Sequence, residues 1–414
     1  MGNLAQFSRA QLARLGREYM LAAQLNSRTG YAGLRINHGD AAYRDTAIDN
    51  WMSASPIYTR RMQRAMGFAG GTDVATIFKG LQLECGFSHQ YFDVHFEVES
   101  AEQGRFWLQS CGALLEAEPR GEEAVRVMCH DIEDPTFDAT AVATNPRARM
   151  RPVHRPPRVP ANRTPHCEWQ VFIDHEAEPL EETDLCRRMG QTELARLDIP
   201  RPPNAEPGGM DDYSGPLLEQ LELERLSHGA LVAVCSELAL QNHLLINSLL
   251  LVIAARYGEE AAHAVAEFQM IGSARVLSER LCNWIEDKSA DIDRLIAVLD
   301  VHPALQPREY FAPEVERLDD RRVRLVFGDG PARHENQPFG WYPLLVRGTD
   351  AGLESLARGV VPGAVLRRSE AAPMAWDIEL DNASVEEEPL PVRVARGTVL
   401  YNTQFRDHIP LLQV

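Results

Sequence analysis

The sequence lacks the short motifs that mark several large classes of enzyme. It contains no P-loop, no GxGxxG, no HExxH and no GxSxG, which disfavours nucleoside triphosphatases, dinucleotide-dependent enzymes, zincins and serine hydrolases. Basic residues are in deficit, since 42 Lys and Arg accompany 60 Asp and Glu and leave a net charge of -18. Because an acidic surface repels phosphate groups, we expect neither a nucleic-acid partner nor a membrane partner.

Long apolar runs and paired cysteines are missing as well. The longest apolar run, residues 244–255, is interrupted by Asn247 and is too short to span a bilayer, so it predicts a buried core helix. No basic stretch followed by an apolar one opens the chain, and we expect no secretory signal. The seven cysteines, an odd number, show no CxxC spacing, which favours free thiols in a cytoplasmic protein over a disulfide framework.

The composition is that of a globular protein with two domains. A length of 414 residues, with 44% hydrophobic and 25% charged residues, predicts two domains of roughly 200 residues each. We expect an N-terminal unit at 1–175, an acidic Pro/Gly-rich linker at 176–225 and a C-terminal unit at 226–414.

Helical and strand periods follow each other in the same order in both units. Apolar residues at helical spacing predict helices at 8–27, at 58–83 with a break at Gly70-Gly71, and at 226–298, with a looser stretch after residue 27. Period-two alternation predicts strands at 87–99, 105–111, 124–132 and 167–174, and at 322–327, 340–346 and 374–380. The Pro/Arg-rich segment 145–165 predicts an extended loop, because proline cannot donate to a central strand ladder.

The two units resemble each other in sequence. The segment 167–174 aligns with 374–381, which places Trp169 over Trp376, and 105–108 aligns with 340–343. We therefore predict an α+β fold of two tandem related units, each with helices packed on an antiparallel sheet. Only the first unit has thiols on its predicted strands, so we expect any chemistry there.

Three of these thiols are the candidate catalytic groups. On period-two strands, Cys129 and Asp131 share the packed face with Cys167, His130 lies on the opposite face, and Cys111 ends a strand. A nucleophilic thiol needs a base and a polar environment, and the nearby histidines could supply the base. The alternative is that these thiols are inert small hydrophobic residues of the core.

Two polar groups are candidate ligand sites. His89, Asp93 and His95 fall on one strand face and could hold Fe or Zn, although a solvated sheet face has the same pattern. In the Pro/Arg-rich loop, Arg155 and Arg158 could orient an acidic substrate, with His154 and His166 beside them; these four side chains are the predicted substrate-binding group. The alternative is that the loop pairs with surface acids.

The first unit also resembles a known family. The pattern consists of Cys111, Cys129-x-Asp131-x3-Pro135-x-Phe137, Asn145-Pro146 and His166-Cys167-x-Trp169. It is similar to the L-2-amino-thiazoline-4-carboxylic acid hydrolase-like family, which is distantly related to 4-vinyl reductase-type ligand-binding domains, over residues 60–175 and more faintly over 230–381.

This resemblance implies hydrolysis of a C–N bond in a small nitrogen heterocycle, cyclic amidine or amide, with no required cofactor. Cys129 or Cys111 would be the nucleophile, Asp131 the acid–base partner and Cys167 the thiol of the closing strand. Two other functions stay open: a non-catalytic small-molecule-binding or sensory module, and a non-heme metal enzyme using His89, Asp93 and His95. In each case the partner is a small molecule, and the chain could form a homodimer.

Overall fold

The computed structural model describes residues 3–285 and 291–381. It confirms the α+β class: the chain is 55% helical and has two four-stranded antiparallel sheets packed with helices. The linker 176–225 separates them in the chain and contains two short helices, α6 (Asp184–Met189) and α7 (Glu193–Arg196), which follow the elements of the first unit.

The first unit contains one long bent helix, a sheet and several shorter helices. In chain order its elements are α1 (Arg9–Ala65), α2 (Val74–Gln82), a 3-10 turn (Cys85–Phe87), β1 (Phe92–Val98), β2 (Gln103–Cys111), α3 (Gly112–Ala117), a second 3-10 turn (Glu118–Arg120), α4 (Glu122–Arg126), a π-helical turn (Val127–Ile132), α5 (Glu133–Val142), β3 (Ala148–His154) and β4 (Cys167–Ile173).

The second unit repeats this succession. Its elements are α8 (His228–Tyr257), α9 (Glu259–Trp284), α10 (Asp291–Val301), α11 (Arg308–Phe311), β5 (Pro313–Arg317), β6 (Arg322–Phe327), α12 (Trp341–Val346), α13 (Ala351–Arg358), β7 (Ala364–Arg368) and β8 (Ala375–Leu380), with 3-10 turns at Pro303–Leu305 and Pro331–His334.

The two sheets have the same strand order, as the predicted duplication requires. The orders are β1-β2-β4-β3 and β5-β6-β8-β7. Trp169 of β4 pairs with Phe106 of β2, and Trp376 of β8 pairs with Leu325 of β6. The alignment of the two tryptophans is therefore confirmed, and both are fully buried.

A constant displacement of 219 positions relates the helices of the two units. It takes Ser8, which caps α1, to Ser227, which caps α8. It also takes Gly39 (φ 82°), where α1 bends, to Gly258 (φ 92°), which separates α8 from α9. Positive φ at a helix junction favours glycine because it has no Cβ. The first part of α1 thus corresponds to α8 and the second part to α9.

The same displacement relates two buried ion pairs that join the units. Glu18 accepts hydrogen bonds from Arg280, at 2.6 and 2.9 Å. Glu237 accepts them from Arg61, at 2.9 and 2.8 Å. Both the acids and the arginines lie 219 positions apart, so each unit gives an acid to one pair and an arginine to the other. Reciprocal contacts of this kind are the mark of a two-fold interface.

Several predicted elements are wrong. The segment 124–132 is helical, in α4 and the π-helical turn, and 340–346 forms the helix α12. Short apolar runs fit both the helical and the strand period. The two glutamates in its first turn favour the helix at 122–126. The aligned partner of 105–108 is therefore β6. The looser stretch expected after residue 27 belongs to α1.

The Pro/Arg-rich segment and the linker are also more ordered than predicted. Segment 145–165 contains β3, which tolerates Pro152 because it lies at the sheet edge. The linker packs on the first unit, where the carbonyl oxygens of Ala195 and Leu197 accept hydrogen bonds from Arg61.

Helix α8 forms the centre of the molecule. It is long and apolar enough to cross a membrane by composition, but 89% of its most apolar window is buried inside the protein. Burial of this kind is typical of the core helix of a soluble protein.

Candidate functional site

The first unit encloses a cavity of about 540 Å³ between its helices and its sheet. Both parts of α1, the turn Cys85–Phe87, α3, the π-helical turn and α5 contribute to the wall. The wall is rich in aromatic side chains: Tyr31, Tyr43, Trp51, Phe87, Phe92 and Phe137. A concave, mostly apolar space of this size, with few polar groups, is the usual form of a small-molecule site.

The cavity opens to solvent beside the bend in α1. Ile36, which is 65% exposed, and Arg35 lie on the α1 side of the opening, and Pro119 and Arg120 lie opposite on the turn after α3. Arg35 forms an ion pair with Asp40 at 2.5 Å. A small molecule can therefore reach the cavity from solvent without unfolding of the sheet.

Two carboxyl groups in the wall each have one buried oxygen that lacks a hydrogen-bond partner among the described residues. Glu84 is only 4% exposed, and its Oε2 has no hydrogen-bond partner among the described residues. Glu133 also lines the cavity, and its Oε2 is buried and likewise unpartnered within the described ranges. Burial raises the pKa of Glu84 to about 8. Burial, then the charge of Asp134, raises the pKa of Glu133 to about 8.

A third carboxyl group, Glu116, also has an unpartnered buried oxygen, Oε1, among the described residues, but its charge is compensated by an arginine. Glu116 Oε2 accepts from Arg28 Nε at 2.9 Å. The other nitrogens of Arg28 donate to Gln24 Oε1 at 2.8 Å and to the Tyr91 hydroxyl. Arg28 is thus held by three side chains of the protein itself, and its positive charge is balanced by Glu116.

Two glycines permit this arrangement. A Cβ on Gly86 would lie 2.8 Å from Glu84 Oε1 and 3.4 Å from the Trp51 ring, so the absence of a side chain at Gly86 lets both groups approach the same backbone position. A Cβ on Gly112 would lie 2.4 Å from the Tyr91 ring, which positions the hydroxyl that contacts Arg28. Close packing at these two glycines therefore fixes where Glu84 and the Tyr91 hydroxyl lie.

The predicted catalytic group of the π-helical turn does not line this cavity. Cys129 is 2% exposed, Asp131 is held by Arg126 at 2.8 Å, and His130 Nε2 lies 2.7 Å from the Pro156 carbonyl oxygen. The prediction that Cys129 and Asp131 share a strand face is wrong, because this segment is helical. Their neighbours Met128, Ile132 and Glu133 line the cavity instead.

The three predicted thiols do come together. Cys111, Cys129 and Cys167 belong to one buried cluster, and Glu133 acts on all three electrostatically. Burial raises the pKa of Cys111 to about 12. Burial, followed by the charge of Glu133, also raises the pKa of Cys129 and of Cys167. Thiols of this kind are protonated at neutral pH and are weak nucleophiles.

The predicted substrate-binding residues lie outside the cavity wall and contact the protein. His166 Nδ1 accepts from the Cys111 backbone N–H at 3.0 Å, and His166 Nε2 lies 3.2 Å from Arg158 Nη1. Burial, then the charge of Arg158, lowers the pKa of His166 to about 4. His154 lies 3.1 Å from the Pro165 carbonyl oxygen, and Arg155 pairs with Asp134. These contacts hold the loop between β3 and β4 against the sheet.

The predicted metal ligands are only partly brought together. His95 Nε2 lies 3.2 Å from Asp93 Oδ1, and the imidazole stacks on Trp107. His89 precedes β1, and its Nε2 lies 2.8 Å from the Gln82 carbonyl oxygen, in the wall of a second cavity of about 470 Å³. Within residues 3–285 and 291–381, no three His, Cys, Asp or Glu side chains are arranged to hold a metal ion.

At the equivalent positions of the second unit, aromatic rings pack together. Position 243, equivalent to Gln24, is a histidine. Its ring centroid lies 4.7 Å from that of Phe311 and 5.9 Å from that of Trp341. Asn247, equivalent to Arg28, packs against Gly340 so closely that a Cβ there would lie 2.6 Å from its Oδ1. Arg28 of the cavity wall therefore has an uncharged equivalent in the second unit.

Comparison with known proteins adds no relative. No protein-family description, no curated protein and no solved structure is significantly similar to this chain.

Proposed function

We propose that the first unit is a small-molecule-binding module whose ligand occupies the aromatic cavity. The observation that carries this proposal is the combination of an open cavity of about 540 Å³ with two unpartnered carboxyl groups in its wall. Buried polar atoms are ordinarily hydrogen-bonded, and a bound ligand would supply the missing partners at Glu84 and Glu133. A cytoplasmic location is part of the proposal and is supported by the seven free thiols.

A dye that fluoresces in apolar surroundings tests the proposal. Nile red is titrated into the wild-type protein and into Ala32→Trp, in which an indole is added at a half-buried position of the cavity wall. Ala254→Trp is the matched control, because Ala254 is also half-buried on a helix but lies in α8. We expect saturable binding to wild type and control, and at least tenfold weaker binding to Ala32→Trp. Equal binding by all three proteins would contradict the proposal.

A second candidate is the cysteine hydrolase implied by the family resemblance. One observation favours it: Cys111, Cys129 and Cys167 gather around Glu133, which lines the cavity. Their raised pKa values argue against a thiolate in the ligand-free protein. The hydrolase therefore requires a substrate that lowers the pKa of Cys129, and a Cys129→Ser variant that retains full turnover on a substrate would exclude it.

A further inference from the structure

The cavity wall carries three arginines and three glutamates, and they are paired unevenly. Arg28 is matched by Glu116 at 2.9 Å, Arg35 is matched by Asp40 at 2.5 Å, and Arg120, at the opening, donates to the Glu116 carbonyl oxygen at 3.2 Å. Glu84, Glu116 and Glu133 each keep an unpartnered oxygen in the described part of the chain, and Glu116 is the one that is also paired with an arginine of the wall. Glu84 and Glu133 therefore need a hydrogen-bond partner and, once ionised, a positive counter-charge.

The aromatic lining points in the same direction. The Trp51 ring and the Glu84 carboxyl group both lie against Gly86, within 3.4 and 2.8 Å of its Cβ position. A positive group placed at this carboxyl group would therefore lie near a tryptophan, the ring that attracts cations most strongly. The first unit already uses this contact elsewhere, since Arg28 lies over the Tyr91 ring at 4.6 Å.

We propose that the cavity binds an organic ammonium ion whose charged nitrogen contacts Glu84 or Glu133 and whose apolar body lies among the aromatic rings. This inference rests on the proposed ligand-binding function and specifies its ligand. The volume of about 540 Å³ accommodates an amine of drug-like size. Two carboxyl groups on separate elements also suit a molecule with two amino groups.

Proton release accompanies binding of such a cation. Both carboxyl groups are largely protonated at neutral pH because burial raises their pKa to about 8. Contact with an ammonium group favours the ionised carboxylate, so a proton leaves as the ligand binds, and affinity increases with pH up to about 8. The groups facing Glu84 are Tyr58 and Cys85, whose pKa values burial raises well above their usual range. Asp134, Arg155 and the three clustered thiols face Glu133.

The test compares three ligands with one carbon skeleton. Titration calorimetry at pH 6, 7 and 8 measures the Kd of 4-phenylbutylamine, 4-phenylbutanol and 4-phenylbutyrate, which are cationic, neutral and anionic. We expect the amine to bind at least tenfold more tightly than the other two at pH 8. Its Kd should fall at least tenfold from pH 6 to pH 8, with proton release, while the alcohol binds no more tightly at pH 8 than at pH 6.

Variants locate the effect. Glu84→Gln and Glu133→Gln keep the shape of the wall and remove the charge, and at least one should weaken amine binding tenfold or more at pH 8 while alcohol binding changes little. Glu168→Gln, which removes a part-buried carboxylate that pairs with Arg105 on the sheet outside the wall, should leave amine binding unchanged.

The outcomes separate this inference from the proposed function. Equal binding of the three ligands, tighter binding of the carboxylate, or amine binding that neither glutamine variant weakens would overturn the ammonium ligand and leave the binding module in place. The ammonium inference also fails if none of the three displaces bound Nile red. If neither Nile red nor any of the three ligands binds, both the ammonium inference and the proposed function fail.

Discussion

Neutralising Glu237 should destabilise the whole chain strongly, because it removes one member of a buried ion pair. The Glu237 and Arg61 side chains are 7% and 6% exposed, and two hydrogen bonds of 2.8 and 2.9 Å join them. In Glu237→Gln the guanidinium group stays buried and loses its counter-charge. Removal of one partner from a buried pair costs about 3–5 kcal/mol, whereas an exposed pair contributes about 0.2–1 kcal/mol.

The assay is equilibrium unfolding in urea, followed by tryptophan fluorescence and by circular dichroism. The control is Glu123→Gln, which breaks the exposed pair with Arg126, whose side chains are 74% and 48% exposed. We expect a loss of about 3 kcal/mol for Glu237→Gln and no measurable loss for the control. The double variant Arg61→Met with Glu237→Met should recover most of the loss, since an apolar pair needs no counter-charge.

The reciprocal pair supplies an internal repeat of this experiment. Glu18→Gln breaks the pair with Arg280, whose side chains are 6% and 8% exposed, and should destabilise by a similar amount. Because both pairs join the two units, each variant should shift one common transition rather than split it in two. The reasoning is refuted if Glu237→Gln loses less than about 1 kcal/mol, or if only one unit unfolds early in either variant.

Three further predictions concern Glu84, Cys129 and the glycines at the helix junctions. The free energy of unfolding should fall as pH rises from 5 to 8, because burial raises the pKa of Glu84 in the folded state from 4.5 to about 8 and the folded state therefore binds the proton more tightly. In urea unfolding at several pH values, Glu84→Gln should reduce the dependence of this free energy on pH. An unchanged pH dependence in Glu84→Gln would contradict the prediction. Iodoacetamide should modify Cys129, 2% exposed with a raised pKa, far more slowly in the native protein than in urea, by mass spectrometry; rapid native labelling would instead support the hydrolase. Alanine at Gly39 or Gly258 should each cost about 1–3 kcal/mol, since both hold positive φ, and unequal losses would count against their equivalence.

The sequence was sufficient to predict the elements with an unambiguous period. Strands β1, β2 and β4 alternate clearly, and Trp169 over Trp376 revealed the repeated sheet. The constant displacement of the helices was also present in the sequence, in Ser8 and Ser227 with Gly39 and Gly258. The aligned strands show the repeat less clearly, because equivalent strand residues are not separated by the same number of positions as the helices.

The cavity could not be predicted from local patterns. Glu84 follows α2 in the sequence and looks like an ordinary helix-end acid, and Glu133 looks like a helix N-terminal acid. Their burial depends on α1, whose bend at Gly39 brings distant aromatic residues such as Trp51 over them. The cysteines were predicted as the site because thiols are rare, whereas the residues that line the cavity are of common types.

The packed second unit has a consequence for how this chain can evolve. In a dimer of identical chains every substitution appears twice, so a tryptophan that fills one cavity fills both. Here the symmetry is kept by the reciprocal pairs of Glu18 and Glu237, while Trp341 lies packed among rings in one half only. One half can then accumulate packing that stabilises the pair, and the other half can keep a hollow, less stable interior. Stability and the shape of the cavity are thereby open to selection separately within a single gene.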